Sequence, residues 1–158
     1  VKELSKSMMG EQLEEMEFTP DYKPLSRLIS QMGQKIIGTY TDNKFSITVQ
    51  GRTIEIPFTG AYISDGAGLD LIIAGLPLKE NYTLSFEMPD VMTAKAKKVN
   101  LKVMGEEVIN TKKCTKVQIL AEGNDEILLW INPVNKNAEK MIFTLPAMGN
   151  AKMTWIKK

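Results

Sequence analysis

Short apolar alternations, each closed by a turn signal, dominate this chain. They constrain its fold more than any other feature. Lys44 to Val49 sets Phe45, Ile47 and Val49 on one side, and Thr53 to Phe58 does the same with Ile54, Ile56 and Phe58. Tyr82, Leu84, Phe86 and Met88 repeat the pattern, as do Val99, Leu101 and Val103. Successive strand side chains point to opposite faces, so a period of two marks a half-buried strand. Lys116 to Leu120, Glu126 to Asn132 around Trp130, Lys140 to Leu145 and Ala151 to Ile156 complete the series. Between them stand Gly33, Asp42-Asn43, Gly60, Pro89-Asp90, Gly105, Gly123-Asn124-Asp125, Pro133-Val134-Asn135 and Gly149-Asn150. Such punctuation predicts antiparallel hairpins in sequence order. Leu25 to Met32 and Lys35 to Thr41 should pair around Gly33, and Gln50 to Arg52 should be a tight turn. Lys97-Lys98 breaks the local alternation as a β-bulge would. Residues 1–9 fit either a strand or a helix.

One segment departs from this period. Leu69, Ile72, Ile73 and Leu76 stand at helical spacing, with Ser64 or Asp65 before them, then Gly75 and Pro77. That is a short helix of about two to three turns within residues 65–75. The reading is an all-β fold: a strongly curved antiparallel meander, an unclosed β-barrel, with one short helix. The whole chain, 1–158, reads as a single β domain, a size that folds without covalent staples.

Composition excludes several kinds of chemistry. The chain has no histidine and one cysteine. Ser-His-Asp and Cys-His catalysis, imidazole metal sites and thiolate clusters are therefore absent. Cys114 reads as a buried apolar thiol. Net charge is +1, so no whole-molecule field draws nucleic acid or anionic lipid. No segment reaches the roughly 18–20 apolar residues of a membrane-spanning helix.

Local motifs are weak. Gly66-Ala67-Gly68 opens like a dinucleotide fingerprint, but Leu71 stands at the third glycine position. Loop or helix entry is the better reading. Glu106 and Glu107 are adjacent on a strand and face opposite sides, so they cannot act as an acid pair. Asp65, Asp70, Asn124, Asp125 and Glu126 do not make a calcium loop. Lys95, Lys97, Lys98, Lys102, Lys112, Lys113 and Lys116 could form a basic face, but protection of strand edges explains them better. Ten methionines suit either an adaptable core or an apolar cavity. Met141, Met148 and Met153 lie in the final strands with Trp130 and Trp155.

Three stretches carry a resemblance. Asp21-Tyr22-Lys23-Pro24 precedes Leu25-Ser26-Arg27 and Gln31-Met32-Gly33; Asp65 to Leu78 precedes Asn81-Tyr82; Val103-Met104-Gly105-Glu106-Glu107 leads to Cys114-Thr115-Lys116-Val117, Leu129-Trp130-Ile131 and Lys140-Met141. This order resembles an uncharacterised bacterial family of secreted domains of unknown function. Leu128 departs from the threonine of that family's pattern. The family's unclosed barrels are similar to those of periplasmic lipoprotein-localisation factors. The resemblance implies a periplasmic or outer-membrane-associated location, no catalytic residues, no cofactor and an apolar ligand. Relatives carry sequence ahead of the matched part, which implies either lost N-terminal barrel strands or a shortened domain.

The expected function is non-enzymatic binding of a lipid or other apolar molecule in the concave face of the sheet. Leu69, Ile72, Ile73, Phe86, Trp130 and Met141 are the expected lining. The alternative is a scaffold that offers an open sheet edge or surface patch to an envelope protein partner.

Overall fold

A computed structural model describes residues 2–7, 10–31, 33–91, 93–123, 125–146 and 149–157. Met32, Asn124 and Met148, named above, lie outside the described residues. The fold is all-β: the described residues form twelve strands, one short helix and two open antiparallel sheets. Strands run in sequence order in both sheets, and neither sheet closes into a barrel.

The first sheet comprises β1 (Lys2–Ser7), β2 (Gly10–Phe18), β3 (Pro24–Gln31), β4 (Gln34–Tyr40), β5 (Lys44–Val49) and β6 (Arg52–Pro57). Lys2–Ser7 is thus strand, and positions 1, 8 and 9 lie outside the described residues. Gln50 and Gly51 turn β5 into β6 with φ of 48° and 78°. Two successive left-handed residues match the twist of the hairpin arms. Residues opposite one another share a face, so Met16, Arg27, Gly38, Ile47 and Ile54 form one row across five strands. Gly38 leaves a gap in that row, and a Cβ there would run into the Phe45 ring. Met16, Tyr40, Phe45, Ile47, Ile56 and Phe58 make the core on this face.

α1 (Leu69–Gly75) follows, with Gly68 at φ 85° before it. The Leu76 amide closes its end on the Ile73 carbonyl, and Pro77 prevents another turn. The second sheet comprises β7 (Thr83–Asp90), β8 (Lys95–Ile109), β9 (Lys112–Ala121), β10 (Glu126–Ile131), β11 (Ala138–Leu145) and β12 (Ala151–Ile156). Between β8 and β9 the register shifts at Val103/Gly105, where Gly105 has φ 121°. That shift lies nearer the middle of β8 than the Lys97-Lys98 step the alternation suggested.

Contacts divide the chain into two compact units. The first holds residues 1–69 and 87–97; the second holds 70–86 and 98–158.

Candidate functional site

In the second unit the strand register arranges two apolar rows. Val103, Val117, Leu129, Met141 and Trp155 lie opposite one another across β8 to β12. Leu101, Ile119, Ile127, Phe143 and Met153 form the next row on the same face. Exposure rises steadily along both. Val117 and Leu129 are fully buried, Met141 and Phe143 are half-buried, and Trp155 and Met153 are 44% and 55% exposed. All six residues of β12 are exposed. The apolar face therefore begins as core and ends as open surface at an edge strand. Adjacent large apolar groups exposed in a row are uncommon on a folded protein and mark contact surfaces.

The opposite face of the same strands carries a paired polar cluster around Trp130. Trp130 lies between Lys116 and Lys140 in the register. The two lysine ammoniums sit 5.2 and 4.6 Å from the centre of its ring. The indole Nε1 donates to Glu107 Oε2 at 2.7 Å, and Lys116 Nζ donates to Glu107 Oε1 at 2.7 Å. These donors, Lys116 first, hold the Glu107 carboxyl below its ordinary range. Lys112 similarly binds both oxygens of buried Glu139 and lowers its carboxyl. Lys113 pairs with Glu106 at 2.6 Å. Lys112, Lys113 and Lys116 are thus committed to glutamates and do not form a free basic face. Glu106 and Glu107, as expected from their adjacency, have different lysine partners. Cys114 is fully buried, and burial raises its thiol.

A partly open pocket of about 330 Å³ lies elsewhere in this unit, lined by Leu78, Glu80, Val103, Gly105, Glu106 and Thr115. Its volume is at the lower end for small-molecule sites. Two carboxylates and a threonine make it unsuited to a purely apolar guest.

The first unit has a different interior. Arg27, 9% exposed, sits in the middle of its cross-strand row. Its Nε lies 2.8 Å from Glu14 Oε1, and its Nη1 lies 2.7 Å from Asp65 Oδ1. Glu14 Oε1 also accepts the Ala67 amide at 3.1 Å. The loop of Asp65, Gly66 and Ala67 is thereby tied to the sheet. A Cβ on Gly66 would collide with the Glu14 carboxylate, so the absence of a side chain permits this approach. The Gly-Ala-Gly sequence is helix entry, as expected, and its function is close packing. Burial raises the Asp65 carboxyl, opposed by Arg27. Burial also raises the Tyr40 phenol, and the hydroxyls of Tyr40 and Ser64 have no hydrogen-bond partner among the described residues. Nearby, buried Glu87 accepts the Thr59 amide and hydroxyl at 2.7 and 2.5 Å.

Of the six residues expected to line a cavity, Trp130 and Met141 lie on opposite faces of the second sheet. Leu69 belongs to the first unit and the other five to the second. Ile72, Ile73 and Phe86 are buried at 8%, 0% and 5% exposure. Trp130, at 3%, faces away from Met141, because Trp130 pairs with Lys140 and Leu129 pairs with Met141. Met141 lies on the open apolar face. Phe143, Met153 and Trp155 accompany it there. The sequence reading did not select these three, and their spacing of two along β11 and β12 is the signal that could have found them. The Glu14–Arg27–Asp65 cluster carried a fainter signal: Arg27 stands between Met16 and Gly38 in an otherwise apolar row. Among the described residues, no three acidic, histidine or cysteine side chains converge on a metal position. No described helix is long and apolar enough to cross a membrane.

A search of curated proteins finds no match. A family model for a protein of unknown function, DUF3108, matches residues 14–155. That match takes in β3 to β11 whole and most of β2 and β12, the helix, the ion cluster and the open apolar rows, and so the chain belongs to the DUF3108 family.

Proposed function

We propose that this protein is a non-enzymatic binding module for an apolar group such as an acyl chain. The contact surface is the open end of the second sheet, over Met141, Phe143, Met153 and Trp155. One observation carries this reading: two parallel apolar rows run unbroken from buried core to exposed edge strand. An acyl chain laid there would cover side chains that now face water, at about 25 cal/mol per Å² of apolar surface removed. The lack of histidine and the internal pairing of Glu107 and Glu139 fit a binder better than a catalyst. An envelope location, as in the family the sequence resembles, would supply such ligands.

The test is native mass spectrometry of gently purified protein, with organic extraction of whatever accompanies it. A stoichiometric apolar adduct is the expected result. Titration with a soluble fatty-acid probe should change the fluorescence of Trp155 and leave buried Trp130 unaffected. A clean apo mass together with no response of Trp155 would rule the reading out. A scaffold role is the second reading, favoured by the complete exposure of β12 at the sheet edge. A clean dimer mass lost on replacing a β12 residue with proline would favour it.

A further inference from the structure

The final hairpin, β11 and β12, differs in charge from the rest of the chain. From Lys140 to Lys158 there are four lysines and no acidic residue. The whole chain is +1, so the remainder carries a net −3. The same stretch holds Met141, Ile142, Phe143, Met153, Trp155 and Ile156. Edge strand β12 exposes apolar groups on both of its faces: Met153 and Trp155 on one, Ile156 at 49% on the other. Lys152 shares the Ile156 face, is exposed, and has no acidic partner among the described residues. Lys157 is partly engaged, since it acts electrostatically on Asp70 and Glu139. Lys140 lies over the Trp130 ring.

We infer that the β11–β12 hairpin docks edge-on at the surface of an anionic lipid bilayer. From the reading above, this takes only the open apolar rows. A ligand lying on one face would leave Ile156 and Lys152 unexplained, whereas a lipid interface contacts both faces of an edge strand at once. Trp favours the headgroup level, where its ring is in apolar surroundings and its N–H in polar ones. Lysine stems lie along apolar surface while their ammoniums reach anionic headgroups. From Lys140 onward no acidic side chain is present to be repelled by the same surface, and Glu139 is buried against Lys112. The free backbone edge of β12 sets the depth: hydrocarbon would leave its N–H and C=O groups unpaired, so the strand stays at the interface.

The experiment is flotation of the full chain with phosphatidylcholine vesicles, with and without phosphatidylglycerol. Tryptophan quenching by brominated lipid is read in parallel. Binding should require phosphatidylglycerol and weaken as salt rises. Lys152→Glu should lower it by at least about fivefold, given roughly 1 kcal/mol for each basic residue near such a surface, with an unchanged melting curve. Quenching should be confined to Trp155 and disappear in Trp155→Phe, because Trp130 is buried. Equal binding to neutral and anionic vesicles would overturn the inference, as would an unquenched Trp155. Absence of vesicle binding accompanied by a dimer mass would overturn it in favour of strand pairing between copies. The fatty-acid titration, made without vesicles, separates the two proposals. Lys152 faces away from Met153 and Trp155, so Lys152→Glu should keep fatty-acid binding. Retained fatty-acid binding without vesicle affinity sinks only the docking inference, and vesicle binding without fatty-acid binding sinks only the other.

Discussion

The two sheets share a construction and differ in what they bury. Each is a six-stranded sequential meander with a continuous cross-strand row. In the first unit that row contains Arg27, held by Glu14 and Asp65, and the ion cluster ties a loop to the sheet. In the second unit the equivalent row is wholly apolar and runs out into solvent at Trp155. A polar group inside a sheet face fixes a loop at one place, because its partners are few and directional. An apolar face has no such limit, and can remain open to whatever covers it.

Removing the cation should have the largest effect. Arg27→Met leaves Glu14 and Asp65 without their counter-charge, and breaking a buried pair from one side costs about 3–5 kcal/mol. Urea denaturation should show this as a lower midpoint. A loss below 1 kcal/mol would mean that the cluster does not hold the first unit together. In the second unit, Leu129→Ala empties a fully buried position and should cost about 2–5 kcal/mol. Gly38→Ala is a milder probe of the first sheet: it overpacks against the Phe45 ring, and about 1–3 kcal/mol is expected by thermal denaturation.

Acid should act on the two interiors in opposite directions. The folded-state pKa of Asp65 is raised above its ordinary 3.8. The folded protein therefore holds that proton where the unfolded chain has released it, and stability falls as pH rises through this window. Glu107 and Glu139 are lowered below 4.5, so their contribution is complete above that value and is lost as pH falls through their folded pKa values. Compared with the parent protein, Asp65→Asn should gain relative stability as pH rises from 3.8. Glu139→Gln should gain relative stability as pH falls below 4.5. Denaturation curves for the two variants across acid pH measure both slopes, and slopes of the same sign would collapse the contrast. The smallest stability effect belongs to the open edge. Trp155→Ser should change stability by no more than about 0.5 kcal/mol, since the side chain is largely outside the core, while abolishing the fatty-acid response.

Much of the architecture was legible because hairpin neighbours in sequence are neighbours in the sheet. The strand over Lys44 to Val49, the Gln50–Gly51 turn and the helix ending before Pro77 all follow from local chemistry. Cavity lining was not legible in the same way. Glu126 to Asn132 is almost continuously apolar, and a run without alternation does not say which side chain faces the core. Trp130 looked like lining because it is large and apolar, and instead lies under two lysines with its N–H on Glu107. The ion cluster joins positions 14, 27 and 65, and nothing local in the sequence links a strand residue to a loop 38 positions later.

By itself, then, the sequence determined the strand and turn order, the all-β class, the buried thiol and the absence of imidazole chemistry. Each is a property of composition or of neighbours along the chain. Only the tertiary structure decided which face Trp130 occupies, that Arg27 draws Asp65 and Glu14 together, and that one apolar face ends open at β12. Those depend on the register between strands, where a shift of one residue exchanges the faces of every side chain.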